Sequence, residues 1–305
     1  MNDLLKLSAE VEAALASAAP VVALESTLIS HGLPAPDNVQ CALAAEATVR
    51  AHGAVPATIG IISGQLTVGL SLSEIETLAD PRTRARKVSR RDLAATIALG
   101  ETGATTVSAT MICAALAGIE VFATGGIGGV HRDVAASFDI SADLGELART
   151  PVTVVCAGAK IILDLPKTVE LLETLGVPVI GFECEEFPGF FAVSSKLALD
   201  INVTDAQAAA GIVQTQRALG LRTGILLVNE APAANAIAAE IADGWVQQAL
   251  VDAQQQNIGG KAVTPFLLER VNAYSSGASL SANIALILNN ARLGAQLACA
   301  LSPSS

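Results

Sequence analysis

The sequence predicts an α/β fold, a three-layer α/β/α sandwich with a mainly parallel central sheet and a helical C-terminal region. Short β-branched apolar runs alternate with longer alanine-rich stretches of helical pattern, the mark of repeated strand–helix–strand units. At 305 residues and 51% apolar composition the chain can bury one large core. No internal repeat, low-complexity tract or linker interrupts it, so residues 1–305 read as one domain.

In order, the apolar runs Val21–Leu24 and Ala57–Ile62 are too short for helices and read as strands, with an alanine-rich helix over 38–52 between them. A helix over 73–79 and another over 90–101 precede the β-branched run Thr105–Val107. A helix over 108–117 leads to the strand Val121–Ala123, and one over 142–149 leads to Val152–Cys156. Helices over 165–175 and 205–219 flank the strand Val179–Phe182, and Gly224–Val228 closes the alternation. The last third turns helical, at about 232–254, 264–274 and 279–300.

Composition excludes several classes of function. The net charge of −11 argues against nucleic-acid binding, and 3% aromatic residues against stacking platforms for bases. Mean hydropathy is high at +0.52, yet no run of 18 or more apolar residues is present, so no membrane span is expected. The surplus is mostly alanine, which suits close helix packing or a buried subunit interface. Met1-Asn2-Asp3-Leu4-Leu5-Lys6 lacks the pattern of a signal peptide. The five cysteines (41, 113, 156, 184, 299) are scattered in apolar contexts and read as reduced core thiols of a cytoplasmic protein. His31, His52 and His131 form no metal-binding cluster, so a bound metal would have mostly oxygen ligands.

In open α/β sheets ligands gather at the carboxyl ends of the strands, and three such ends carry chemistry. Glu25 closes Val21–Leu24; desolvation there raises a carboxyl pKa and suits it to act as an acid, unless it simply reaches solvent. The loop Gly125-Gly126-Ile127-Gly128-Gly129-Val130-His131-Arg132 follows Val121–Ala123; its glycines can bring backbone amides to an anion and take positive φ, or form a plain wide turn. Lys160 follows Val152–Cys156 and is the only charge between Arg149 and Asp164. A lysine in such an apolar stretch is either snorkelling to water or desolvated into a neutral nucleophile able to form an imine with a sugar carbonyl. Arg82, Arg84, Arg86, Lys87, Arg90 and Arg91 put six of the 18 basic residues within ten positions, a field suited to phosphate if surface carboxylates do not absorb it. Lys87 is the best candidate, since a helix starting near Arg90 would add N–H donors. Asp139 and Ser141 read as helix caps, or Asp139 as a ligand for a divalent cation completed by water, with Ser141 and Asp143 on substrate oxygens. Asn283, Asn289 and Asn290 lie in an apolar helical stretch, as interhelix hydrogen-bonders or ligand readers.

Together, Val22 through Gly32, Lys87 through Asp92, Gly103 through Val107, Phe122 through Arg132, Phe138 through Leu144, Val154 through Lys160 and Thr264 through Leu268 closely resemble the pseudouridine-5′-phosphate glycosidase family, also called indigoidine synthase A-like. The resemblance runs from about residue 20 to residue 300. It implies a carbon–oxygen hydro-lyase that reversibly cleaves pseudouridine 5′-phosphate to uracil and ribose 5-phosphate. It further implies Glu25 as proton donor, Lys160 as the imine-forming nucleophile, and Lys87, Val107 and the Ser141, Ala142, Asp143 segment on substrate; from the residues themselves, His131 beside the glycine loop and Asn283 are added as candidate substrate contacts. Asp139 then matches the position of one Mn²⁺ per subunit of a homotrimer. The sequence departs from the family at Phe190-Phe191-Ala192-Val193-Ser194-Ser195, where an arginine is common, and at Asn229-Glu230-Ala231-Pro232. These changes touch neither the acid nor the lysine but bear on base preference. Two other readings compete: an imine-forming lyase on another sugar phosphate, and a non-catalytic sugar-phosphate-binding protein.

Overall fold

The computed structural model describes residues 4–193, 195–256, 258–259 and 262–302. Met1-Asn2-Asp3 of the N-terminal reading and Ser194 of the divergent loop lie outside them. The chain runs β1 (Leu5–Leu7), α1 (Ala9–Ala16), β2 (Val21–Leu24), α2 (Asp37–Ala51), β3 (Val55–Ile62), β4 (Gln65–Val68), α3 (Leu72–Ala79) and β5 (Arg86–Val88). It continues through α4 (Leu93–Ala98), β6 (Gly103–Thr105), α5 (Val107–Ala117), β7 (Val121–Ala123), α6 (Val134–Ser137), α7 (Ala142–Leu147), β8 (Thr153–Cys156), α8 (Leu165–Thr174) and β9 (Val179–Phe182). The last elements are β10 (Ala192–Val193), β11 (Asn202–Val203), α9 (Ala206–Ala218), β12 (Ile225–Val228), β13 (Ile237–Ala238), α10 (Ala239–Gln255), α11 (Val263–Tyr274) and α12 (Ala278–Leu301).

The main sheet has the order β1-β4-β3-β2-β7-β8-β12-β9-β11, with β6 pairing β3 and β5 pairing β6. Every pair from β3 through β2 to β11 is parallel; β4 and β6 meet β3 antiparallel. The central strands β2, β7, β8 and β12 are buried on both faces, which is why they read as continuous apolar runs rather than alternating ones. Because the strand order runs both ways from β2 and β7, right-handed crossovers put helices on both faces. One layer is α2, α9 and α12, with α12 lying across β2, β7 and β8. The other holds α5 and α7, with α5 packed on β2, β3 and β7.

Most expected elements form within a few residues. Thr105–Val107 does not: the strand is Gly103–Thr105, and Thr106 is the N-cap of α5, so β-branched Val107 begins a helix. The helix expected over 90–101 is a 3₁₀ turn, Arg90–Asp92, followed by α4. The one over 232–254 starts only at Ala239, after the strand β13. Helix α12 is long and apolar enough to cross a membrane, which the absence of an unbroken apolar run did not anticipate; half of that stretch is buried among the core residues, where it serves as a core helix. Cys41, Cys113, Cys156 and Cys184 are buried free thiols, the first three pushed up to about 12 by burial, whereas Cys299 is exposed and not a core thiol.

Candidate active site

From β2 the chain moves to β3 on one side; from β7 it moves to β8 on the other. The strand order therefore reverses between β2 and β7, and a crevice opens at their carboxyl ends. A cavity of about 400 Å³ lies there, lined by Glu25, Lys87, Arg90, Arg91, Val107, His131, Asp139, Ser141, Ala142, Asp143 and Lys160. A smaller, more apolar chamber of about 50 Å³ shares Glu25, Thr27, Lys87, Lys160 and Thr264 with it, and adds His31, Phe190 and Asn283. The ten residues assigned to acid, nucleophile, substrate and metal roles thus all border one cleft.

Glu25 emerges directly from β2 and is only 7% exposed. Its Oε1 accepts a short hydrogen bond from the Thr124 hydroxyl at the end of β7. Burial raises its pKa, against the lowering influence of Lys160, Thr124 and Lys87, while Asp143 adds to the rise. A buried carboxyl whose pKa is raised, beside a lysine, is suited to donate a proton. Lys160 reaches the same point through the turn at Gly158, whose φ of +74° and contact with the Pro188 carbonyl exclude any side chain. Its amide donates to the Ile127 carbonyl at 3.1 Å. The side chain is half-buried at a polar cleft facing Glu25, not sunk in the apolar run that precedes it.

The glycine-rich loop differs from expectation. None of Gly125, Gly126, Gly128 and Gly129 has positive φ. Close packing requires them instead: a Cβ on Gly128 would lie 2.2 Å from Ser141 Oγ, and one on Gly126 would lie 2.8 Å from the Phe190 ring. The Gly128 amide donates to Asp143 Oδ2 at 2.8 Å, and the Ser108 amide to Asp143 Oδ1 at 2.9 Å. Buried Asp143 is thus a strut joining the loop to the first turn of α5, while lining the cleft. Ser141 caps α7, accepting from the Asp143 amide at 3.2 Å, and keeps its place on the cavity wall. Arg132 is spent elsewhere, on the carbonyls of Leu163 and Ile161 and on Asp243.

The basic cluster divides as well. Arg82 pairs with Asp80, Arg86 with Glu101, and Arg90 with buried Glu146, whereas Lys87, Arg90 and Arg91 border the cavity. Lys87 sits on β5, a strand the sequence reading missed, and Val107 begins α5 with its first turn at the cavity wall. Cation, serine and helix start together make an end of the cleft chemically suited to an anion. Beside it, Asp139 Oδ2 lies 3.7 Å from His131 Nε2, on strand-like segments bridged by Val130 and Ile140. Among the described residues no three His, Cys, Asp or Glu side chains converge as a metal cage. One carboxylate and one imidazole fit a hard divalent cation only if water and a phosphate complete its shell.

Of the three asparagines, Asn283 faces the smaller chamber. Asn290 donates to the carbonyls of Thr124 and Gly125 and accepts from Asn229, and Asn289 donates to Asn229 Oδ1 at 2.6 Å. These two are structural clamps on the ends of β7 and β12. The divergent Asn229 is part of that clamp. Sequence reasoning missed Thr27, His31 and Thr264 in the cleft, and Thr124 as the hydrogen-bond partner of Glu25; their proximity to Glu25, or their place within the resembling blocks, was the available signal.

The family model described as indigoidine synthase A like protein matches residues 10–300. A pseudouridine-5′-phosphate glycosidase of Paracoccus denitrificans is 55% identical over 99% of this chain and 100% of its own length. One of Caldanaerobacter subterraneus is 53% identical over 99% and 98%. The solved structure of prealnumycin C-glycosynthase AlnA in complex with ribulose 5-phosphate superposes with a TM-score of 0.91 at 38% identity, covering 99% of this chain and 98% of that one. An indigoidine synthase A-like protein from Thermotoga maritima gives 0.88 at 32% identity, over 97% and 95%.

Proposed function

Because the chain belongs to the indigoidine synthase A like family, we propose that it is an enzyme that reversibly cleaves the carbon–carbon glycosidic bond of pseudouridine 5′-phosphate, giving uracil and ribose 5-phosphate. The observation that carries the reading is a buried carboxyl with raised pKa beside a lysine, between a cationic chamber and an apolar one. Pseudouridine joins C1′ to a ring carbon, so the leaving group has no lone pair to protonate, and the usual pair of carboxylates is poorly suited. A lysine overcomes this difficulty. Glu25 delivers a proton to the ribose ring oxygen, and the ring opens as the base conjugates with C1′. Lys160 adds at C1′, and its nitrogen lone pair expels the protonated uracil carbon as an imine forms. Water hydrolyses the imine and frees ribose 5-phosphate. Lys87, Arg91 and the start of α5 hold the phosphate; Asn283 and Phe190 border the base.

The reading includes one Mn²⁺ per subunit, held by Asp139 with His131 nearby, supplying charge neutralisation at the phosphate. It includes a homotrimer, for which the exposed Phe138 (83%) beside the cleft mouth offers an apolar contact. It also includes a cytoplasmic location, which the four buried free thiols fit. Incubation with pseudouridine 5′-phosphate should release free uracil, and borohydride with ribose 5-phosphate should add mass to the Lys160 peptide. Absence of uracil with and without Mn²⁺ would refute the activity. Uracil release with an unmodified peptide would refute the imine alone.

A further inference from the structure

The chain between Thr27 and Leu33 winds as a π-helix, Leu28–Gly32, a rare geometry concentrated at functional sites. It carries two buried polar atoms without a hydrogen-bond partner among the described residues, Thr27 Oγ1 and His31 Nε2. Both side chains border the cleft: Thr27 lines both chambers, and His31 lines the smaller one, where it continues into a further cavity of about 300 Å³. The Ala85 backbone lies against the imidazole and favours its protonated form, as a carbonyl acceptor does. A proton on Nδ1 toward that backbone leaves Nε2, which has no partner among the described residues, as a lone-pair acceptor. Burial and neighbouring Lys87 hold the ring below the ordinary imidazole range, which keeps it neutral.

Buried polar atoms are normally paired, so an acceptor and a hydroxyl left open about one turn apart describe the ligand that completes them. We infer that His31 and Thr27 are the base-reading edge of the site: His31 Nε2 accepts a ring N–H of the leaving pyrimidine, and the Thr27 hydroxyl donates to an adjacent ring carbonyl. Cyclic ureides such as uracil carry that N–H/C=O pair. Arg90 and Arg91 line only the larger chamber, while Lys87 and Lys160 border both, so the two chambers meet at the lysines. The inference rests on the glycosidase reading and deepens it by assigning base specificity to residues outside the proposed acid, lysine and metal carboxylate.

The test is synthesis in the reverse direction from ribose 5-phosphate and uracil. H31F should raise the KM for uracil about 10- to 100-fold, the range for a buried group left unpaired, with little change in the KM for ribose 5-phosphate. T27V should act in the same direction, and H31Q, which restores an acceptor, should recover part of the loss. Wild type should reject either 1-methyluracil or 3-methyluracil, and H31F should lose that discrimination. An unchanged uracil KM in H31F and T27V, or equal acceptance of both methyluracils by wild type, overturns the inference while leaving the glycosidase reading intact. Equal loss of both substrates' affinity would mark a merely structural role and also overturn it. No product from wild type overturns the glycosidase reading and the inference with it.

Discussion

Glu25 is the residue whose environment makes the sharpest predictions. Its pKa in the folded protein is raised by burial, so between the unfolded value near 4.5 and the higher folded value the native state binds the extra proton. Stability is therefore lost as pH rises through that window. E25Q, which cannot ionise, should melt higher than wild type at pH 8 and nearly equal to it at pH 4, as thermal unfolding at the two pH values will show. The same substitution should lower kcat about 10²- to 10⁴-fold, the usual contribution of a general acid. In wild type, kcat should fall on the alkaline side as Glu25 loses its proton. K160A should lose at least about 10⁴-fold, as removal of a covalent nucleophile does, and a stopped uracil assay will measure it.

At the scale of elements, the cleft depends on how strand ends are clamped. Asn290 joins α12 to the carbonyls of Thr124 and Gly125 and to Asn229 after β12. N290A would leave several buried groups unpaired, and chemical denaturation should register a loss of about 2–4 kcal/mol. G128A places a methyl against Ser141 and Asp143, displacing the strut between the loop and α5. Its stability should fall by about 1–3 kcal/mol, and the KM for the phosphorylated substrate should rise. The core strands were legible in the sequence because burial on both faces makes each a short uninterrupted apolar run. The edge strand β5 was not, since Arg86 and Lys87 give it a polar face. Val107 misled because β propensity yields to a helix start fixed by tertiary contacts, here Asp143 on the Ser108 amide. Loop glycines were legible as a feature but not in their purpose, because close approach depends on Ser141, Phe190 and Thr168, distant in sequence.

Across the whole molecule, an acidic protein of net charge −11 gathers Lys87, Arg90 and Arg91 at one cavity. Such a field attracts a phosphate at long range and is weakened when the Debye length shrinks from about 10 Å at 0.1 M salt to about 3 Å at 1 M. The KM for the phosphorylated substrate should therefore rise several-fold across that range, while the affinity of unphosphorylated pseudouridine stays nearly constant; initial rates at the two ionic strengths decide it. By itself the sequence determined the α/β alternation, the placement of Glu25, Lys160 and Asp139 at strand and loop ends, and the family those blocks belong to. Local apolar pattern and contiguous motifs suffice for these. Only the tertiary structure decided which groups meet. It brought Glu25 to Thr124, spent Arg132 and two of three asparagines on scaffolding, and left His31 Nε2 and Thr27 Oγ1 without partners among the described residues in the cleft. Pairing between residues far apart in the chain is a property of packing, and no local pattern carries it.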